Sequence, residues 1–409
     1  MGQAYPQADK TDIEVKVLIS SEAVVGLPCY EVTKLEQDSF CVRICAHYVG
    51  LIKCAFCSGS SLRLRDRRVR ELRHENWGER RVELHLETKK WRCLGCGRSF
   101  WQRFPGILAR HRATEPFRRS VFANHFDGIS RACLSRREGI GSSTVERWFK
   151  DCLRRKSSEH SSDCPRMLGL DEHFFTRQDG YATTFCDLKA HRVFDVVLGR
   201  SELSLESYLN RLKGKEHVEM ICMDLSTTYR SIARKHFPRA RIVADRFHVI
   251  RLVNHHFLAC WKLFDAAGAT NRGLLSLMRR HRKHLKSPEQ TERLDAYLTR
   301  IPALQAIYEF KQSLCELLSI KHRTANQCRP LARRFLAAIS VLLDSKLYPL
   351  VTLGETLRSW QEEIAAMWRF TKNNGITEGF HNKMETLSRR AYGFRNFENY
   401  RLRVRVMCS

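Results

Sequence analysis

Two periodicities alternate along the chain, and the switches between them mark out its parts. From Met167 onward short apolar runs alternate with helical spacing. Met-Leu-Gly-Leu leads to Asp171-Glu-His-Phe-Phe; Tyr181 to Leu188 and Arg192 to Leu198 have β character; Ser204 to Leu212 is helical. Glu219 to Met223 is a further apolar run that ends in Asp224, Thr227 to Phe237 is helical, and Ala240 to Ala244 ends in Asp245-Arg-Phe-His248. The order β-β-β-α-β-α-β, with runs apolar on both faces, predicts a mixed or parallel sheet covered by helices. From Ile250 to about Lys372 the spacing is almost wholly helical, through Leu258, Trp261 and Phe264, then Leu294 to Ile307, Phe310 to Ile320, Leu331 to Leu343 and Trp360 to Phe370.

Upstream, Ile13 to Ile19, Val42 to Val49, and Val82, Leu84 and Leu86 alternate as strands do. Pro116 to Lys156 reads as three helices. Phe117, Val121, Phe122 and Phe126 keep helical spacing, Ile129 to Arg137 forms a second helix, Gly139-Ile-Gly141 turns, and a capping box at Ser143-Thr-Val-Glu146 opens the third. Helix, glycine turn, helix is a helix-turn-helix pattern, with Ser142, Ser143, Thr144 and Arg147 toward bases and Val145, Trp148 and Phe149 inward. The bland alternative is a helical bundle joining two domains. Ser157 to Pro165 is polar and proline-ended, as a linker is. Near the end, Asn373-Asn-Gly375 breaks the helical pattern, and Thr377 caps a helix with Glu378 in its first turn and His381, Asn382 and Glu385 along the same side.

Charge sharpens the picture. Lys and Arg number 71 against 44 Asp and Glu, giving a net charge of +27 and a pI near 9.8, so a polyanion is the expected partner and nucleic acid comes before a membrane surface. With no apolar run long enough to span a bilayer and no signal-peptide layout, a cytoplasmic protein is expected. The 16 cysteines are then free thiols or metal ligands. Cys54-Ala-Phe-Cys57 and Cys93-Leu-Gly-Cys96 form two Cys-x-x-Cys knuckles, in which a two-residue gap lets one tight turn present two thiolates to a tetrahedral Zn²⁺. The alternatives are unrelated buried or redox cysteines, or ligation by Cys41, Cys45 and His47. The basic clusters Arg63 to Arg73 and Arg279 to Lys286 suit a DNA backbone, and the tail from Ser388, with Arg389, Arg390 and Arg395 among aromatics, suits phosphates and unstacked bases.

Asp171 and Asp224, at strand ends, could meet and favour a hard cation such as Mg²⁺, although an acid after a strand is more often a turn or helix cap. Asp179, Asp187 and Asp195 read as structural, and Glu172 points to the face opposite Asp171. Asp245 and His248 either support an active site or fix a strand-helix corner.

Leu-Gly-Leu-Asp171-Glu, Met-Asp224-Leu-Ser-Thr-Thr-Tyr, Ile-Val-Ala-Asp245-Arg-Phe-His248, Ile-Thr-Glu378-Gly-Phe-His-Asn-Lys and Arg-Arg-Ala-Tyr-Gly-Phe-Arg-Asn-Phe-Glu-Asn-Tyr together resemble the ISL3 family of bacterial insertion-sequence transposases, in the same order and over nearly the whole chain. The resemblance implies a ribonuclease-H-like (RNase H-like) domain with a catalytic triad of Asp171, Asp224 and Glu378 holding two Mg²⁺, for which Mn²⁺ can substitute. It also implies that Asp245-x-x-His248 is similar to an Asp/Cys-x-x-His signature of eukaryotic cut-and-paste transposases. The expected architecture is multidomain α+β. Residues 1–108 hold a zinc ribbon, 109–156 the helix-turn-helix, 157–165 a linker, 166–250 the first part of the RNase H-like α/β core, 251–372 an all-helical insertion, and 373–409 the returning catalytic helix. The expected function is a DNA transposase that binds terminal inverted repeats and target DNA as a homodimer or larger assembly and carries out cleavage and strand transfer, at the nucleoid when bound. A DNA-binding regulator with a degenerate nuclease fold is the rival. A zinc hydrolase is disfavoured, because four cysteines leave no open ligand position.

Overall fold

The computed structural model describes residues 24–159, 163–370 and 375–408, with only the backbone of 375–378. The strand read at Ile13 to Ile19 lies outside them. The chain forms two compact units, Met1–Cys152 and Leu153–Ser409.

The first unit is built on strands β1 (Tyr30–Gln37), β2 (Cys41–Tyr48), β3 (Leu62–Trp77), β4 (Arg80–Cys93) and β5 (Ser99–Trp101). They lie in the order β1-β2-β4-β3, with β5 also on β4. Period-two burial explains the register. Val42, Ile44 and Ala46 of β2 run parallel beside Val82, Leu84 and Leu86 of β4, and all six side chains are buried under Tyr30, Phe104 and Ile107. β1 and β3 were not anticipated. In β3 the residues from Arg63 to Val69 are almost all exposed, so solvent on both faces erases the alternation.

Three helices follow: α1 (Glu115–Phe126), α2 (Arg131–Glu138) and α3 (Ser142–Ser158). Thr114 caps α1 and also bonds His74 Nδ1 of β3 at 2.8 Å, which ties helix to sheet. Ser130 caps α2, and Gly139 ends it at φ 64°, a left-handed conformation that only glycine adopts at no steric cost. Phe117, Val121, Leu134, Val145 and Trp148 form the helical core. The capping box read at Ser143 does not form: α3 starts at Ser142, and the Glu146 carboxylate pairs with Arg131 and Lys150 instead. The expected linker also starts late, because Ser157 and Ser158 are still helical.

In the second unit β6 (Met167–Thr176), β7 (Gly180–Asp187), β8 (Arg192–Leu198), β9 (Met220–Met223) and β10 (Arg241–Ala244) make a sheet of order β10-β9-β6-β7-β8. β10, β9 and β6 are parallel neighbours, whereas β7 and β8 pair antiparallel. Helix α4 (Glu202–Arg211) precedes β9, and α5 (Thr227–His236) precedes β10. The long helical segment consists of α6 (Arg246–Phe264), α7 (Arg272–Arg279), α8 (Pro288–Thr299), α9 (Pro302–Ser319), α10 (Ala325–Asp344), α11 (Tyr348–Ser359) and α12 (Gln361–Arg369). It divides between two cores. Leu314, Phe335, Leu357, Ile364 and Trp368 join the sheet's own core, while Phe257, Trp261, Met278, Leu294, Leu298 and Tyr308 form a separate one.

Two expectations here are corrected. The helix read from Leu294 to Ile307 is broken before Pro302, which lacks an N–H to continue α8 and starts α9 instead. The basic run Arg279 to Lys286 interrupts the expected helical spacing, because α7 ends at Arg279 and a 3₁₀ turn, Arg282–His284, follows.

The last helices, α13 (Gly375–Arg390) and α14 (Phe397–Met407), return to the sheet. Phe380, Met384, Leu387, Tyr400 and Val404 are buried in its core. The N–H of Val193 in β8 donates to Cys408 O at 2.7 Å, and Arg401 of α14 grips Asp195 of β8 through two hydrogen bonds of 2.7 and 2.6 Å. Asp195 is only 6% exposed, so removing its cation strands a buried carboxylate. Arg401→Met should therefore lower stability in urea unfolding by about 2–4 kcal/mol, and Asp195→Leu added to it should recover much of that loss.

Candidate active site and zinc centre

Strand register brings the acids together. Leu170 of β6 and Ala244 of β10 both lie beside Met223 of β9, so the next residue on each of three parallel neighbours is an aspartate: Asp171, Asp224 and Asp245. Neighbouring strands are about 4.8 Å apart, which sets the backbone positions of the three aspartates in a row across three strands. Asp171 is 8% exposed and Asp245 1%. The Glu172 N–H donates to Asp171 Oδ1 at 2.8 Å. Asp245 Oδ1 accepts the Phe247 N–H at 3.4 Å as the cap of α6, and its Oδ2 lies 3.6 Å from His248 Nε2. Asp224 Oδ1 is buried and accepts no hydrogen bond among the described residues.

This arrangement disfavours ionisation. Burial raises the Asp171 carboxyl to about 7, opposed by the Glu172 N–H and reinforced by the charges of Asp224 and Asp245. Burial likewise lifts Asp224 to about 6, with His248 pulling down and Glu172 and Asp245 pushing up. A cluster of buried, mutually repelling carboxylates with an unbonded oxygen has the donor set of a hard divalent cation.

Glu378 sits in the first turn of α13, and its side chain lies outside the described residues. His381, one turn further on, has its Nδ1 3.9 Å from Asp171 Oδ2, which brings that side of the helix up to the carboxylates. Asn382 and Glu385 face solvent instead, with Glu385 paired to Arg389 at 2.6 Å.

From His381 a polar chain leads inward. His381 Nε2 lies 3.4 Å from Thr184 Oγ1, Thr184 bonds His173 Nδ1 at 3.0 Å, and His173 Nε2 bonds the buried Tyr400 hydroxyl at 2.8 Å. Burial holds both imidazoles neutral, bringing His381 to about 4 and His173 to about 3. Sequence reasoning missed this chain. The usable signal was His173, two residues along β6 from Asp171 and therefore on the same face. Glu172 pairs with Arg200 at 3.1 Å, and its strand partner Thr183 bonds Tyr229, so that face differs from the one bearing Thr184, although the Glu172 charge still reaches Asp224. Asp179 bonds Thr176, and Asp187 accepts the N–H groups of Lys189 and Ala190.

At the other centre the two knuckles meet. The Sγ atoms of Cys54, Cys57, Cys93 and Cys96 all lie within 4.8 Å of one another, with Cys54 to Cys96 at 3.6 Å and Cys57 to Cys93 at 3.5 Å. Zn–S bonds of about 2.3 Å imply tetrahedral sulfur–sulfur edges of about 3.8 Å, so the four thiols fit one zinc ion. Burial opposes ionisation of Cys54, but the N–H groups of Cys57 and Phe56 outweigh it and bring the thiol to about 6. The unit's described metal cluster is these four alone; Cys41, Cys45 and His47 lie along β2, and His47 faces Glu31 at 3.2 Å.

On α3, Ser143 and Arg147 are exposed and Ser142 and Thr144 half-buried, while Val145, Trp148 and Phe149 are buried. Arg395 is exposed, between α13 and α14. Among the described residues no helix is long and apolar enough to cross a membrane.

Comparison with known proteins gives three findings. Residues 168–404, which span all three acids of the expected triad, match the ISL3 transposase family model. Residues 51–96, which span both knuckles, match the zinc finger of the IS204/IS1001/IS1096/IS1165 transposases. The chain is also 24% identical over 410 residues to the transposase for insertion sequence element IS1001 of Bordetella parapertussis, covering 94% of this chain and 97% of that one.

Two outcomes follow from these centres. The folded values of Asp171 and Asp224 lie above the usual unfolded value of about 3.9, so folded protein binds more protons, and their contribution to stability is complete below pH 4 and lost as pH rises through 6 to 7. Mg²⁺ should thus raise Tm more at pH 8 than at pH 5.5, and Asp171→Asn should abolish the difference. Metal analysis should find one zinc per chain, and Cys93→Ser should lose it and open residues 24–112 to protease while residues from 163 onward stay resistant.

Proposed function

This chain belongs to the ISL3 family of transposases, the enzymes of insertion-sequence transposition, and from that premise we propose how it works. It binds the terminal inverted repeats of its element and catalyses DNA cleavage and strand transfer by two-metal phosphoryl transfer. The observation that carries the chemistry is a row of aspartates in which Asp224 and Asp245 follow the last residues of β9 and β10 and Asp171 stands beside them within β6, with Asp224 Oδ1 buried and without a partner among the described residues. The strand order β10-β9-β6-β7-β8, with the middle hairpin strand antiparallel, supports an RNase H-like core. The contact of His381 with Asp171 supports Glu378, one turn earlier on α13, as the third acid.

In this reading Asp171, Asp224 and Glu378 hold two Mg²⁺ ions, or Mn²⁺ in their stead. When bound, such a pair supplies activation of the attacking oxygen and stabilisation of the leaving one in an in-line displacement. The protein's own part is placement and desolvation. Asp171 and Asp224 are fixed by parallel strands, Asp245 stays occupied as the cap of α6 and as partner of His248, and the neutral His381 stands 3.9 Å from Asp171 without adding charge. Asp245 and His248 therefore support the site from beneath.

DNA recognition falls to the zinc ribbon and to a helix-turn-helix of α2, Gly139 and α3, with Ser142, Ser143, Thr144 and Arg147 at the bases. Arg389, Arg390 and Arg395 meet phosphates of flanking or target DNA. Joining two ends calls for a homodimer or larger assembly at the nucleoid in the cytoplasm.

The test is cleavage of a labelled duplex that carries the element's end. Wild type should nick at the repeat boundary with Mg²⁺, whereas Asp224→Asn and Glu378→Gln should bind the duplex equally and cut it at least about 100-fold more slowly, the scale of losing a few kcal/mol of transition-state stabilisation. Wild-type cutting that survives either substitution would remove these residues from the mechanism.

A further inference from the structure

The polar chain that leads inward from His381 ends on the last helix, and it has a direction. Asp171 of β6 and Thr184 of β7 are directly opposed across the sheet, and His173, two residues beyond Asp171, shares their face. Against that face α13 brings His381 and α14 brings Tyr400. The rings of His173 and His381 lie 5.3 Å apart between centroids, and Phe175, Phe394 and Phe397 surround Tyr400 at 4.8, 5.3 and 6.0 Å. Thr184 is fully buried and Tyr400 is 1% exposed, so their hydroxyls depend on neighbours rather than on water.

Proton counting fixes the direction. Among the described residues the Tyr400 hydroxyl meets one hydrogen-bond partner, His173 Nε2 at 2.8 Å, and the Thr184 hydroxyl meets two, His173 Nδ1 at 3.0 Å and His381 Nε2 at 3.4 Å. A neutral imidazole donates from one nitrogen and accepts at the other, and a hydroxyl has one proton to give. Two arrangements are self-consistent. In the first, Tyr400 O–H donates to His173 Nε2, His173 Nδ1–H donates to Thr184, and Thr184 O–H donates to His381 Nε2, which leaves the His381 proton on Nδ1. The second reverses every bond. The buried Tyr400 O–H then has no acceptor among the described residues, and His381 turns a lone pair toward Asp171 Oδ2, 3.9 Å from its Nδ1. An unsatisfied buried donor and a lone pair facing a carboxylate both cost free energy, so the first arrangement prevails.

We propose that Tyr400 is a positioning residue for the cation site: as the terminal donor it sets the direction of the chain, which holds the His381 proton on Nδ1 and turns an N–H toward Asp171. At 3.9 Å that N–H acts through its dipole rather than as a closed hydrogen bond, and it steadies one carboxylate oxygen while adding no net charge. α13 also carries Glu378, so the same bonds set the helix that delivers the third acid. This role rests on Asp171 and Glu378 being cation ligands, and it adds α14 to the machinery that places them.

The test combines nitrogen NMR of the full chain carrying isotope-labelled histidine with Mn²⁺ titration and cleavage of end-bearing duplex. Spectra of His173→Gln and His381→Gln assign the two rings, and wild type should hold both protons on Nδ1, the minor tautomer of histidine free in water. Tyr400→Phe keeps the ring and its packing. It should move His381 toward the Nε2–H form, weaken Mn²⁺ binding about 10-fold and slow cutting at saturating DNA by a similar factor, with KM for the duplex within about 2-fold. Thr184→Val should lose as much, and Thr184→Ser, which returns the hydroxyl, should recover most of it. Nε2–H on either ring of the wild type overturns the proposal. So does a Tyr400→Phe variant with lowered Tm but unchanged His381 tautomer and Mn²⁺ affinity, because Tyr400 is then a core residue only. A wild type with both Nδ1–H rings and the Mn²⁺ effect that nonetheless cuts no DNA keeps this chain and sinks the transposition reading.

Discussion

Two buried aspartates, Asp171 and Asp245, and the half-buried Asp224 between them stand in adjacent register and impose the constraint around which the second unit is built. Parallel pairing of β6, β9 and β10 holds Asp171, Asp224 and Asp245 at neighbouring register positions, because shifting any strand by one residue would displace side chains packed on both faces of the sheet. The repulsion is held by a continuous apolar core of strands, α6, α10, α12 and the returning helices. Each acid answers it differently. Asp245 is tied down as a helix cap, Asp171 takes one backbone N–H, and Asp224 keeps an oxygen without a donor. Asp245 is thus the most fully bonded of the three and Asp224 the least.

The long helical segment is then understandable as a delivery route. The chain leaves the sheet at α6, builds a small core of its own around Trp261 and Tyr308, and comes back through α10 to α12 so that α13 reaches Asp171. Arg246 shows how tightly the route is fastened: its buried guanidinium donates to the carbonyls of Leu318, Ile320 and Met367, joining the start of α6 to two later helices. Asp195 and Arg401 do the same for α14. The first unit follows a different economy, in which a four-cysteine cluster supplements a modest core.

Where information is local, the sequence was readable. The cysteine knuckles are set by two-residue gaps, and the ends of β9 and β10 are set by apolar runs that stop at an acid, whereas β6 runs on past Asp171 to Thr176 because β7 pairs with it along that whole length. Readability failed where the determinant is distant or where solvent removes the pattern. The His173 to Tyr400 bond spans 227 positions and the Thr184 to His381 contact 197, so no local spacing announces either. β3 is charged on both faces and hides its period, and Pro302 sits where helical spacing runs on through a break. The third acid was legible only through family resemblance, because a first-turn glutamate is ordinarily a partner of the helix dipole.

The central claim is that the aspartate row, together with the first turn of α13, is a two-cation site. Anomalous diffraction from a crystal of the full chain grown with Mn²⁺ measures this directly. The account predicts two manganese peaks about 3.5–4 Å apart, within ligand distance of Asp171, Asp224 and Glu378. Manganese bound elsewhere with none at the row, or a single ion held by Asp245 rather than Asp224, would contradict it.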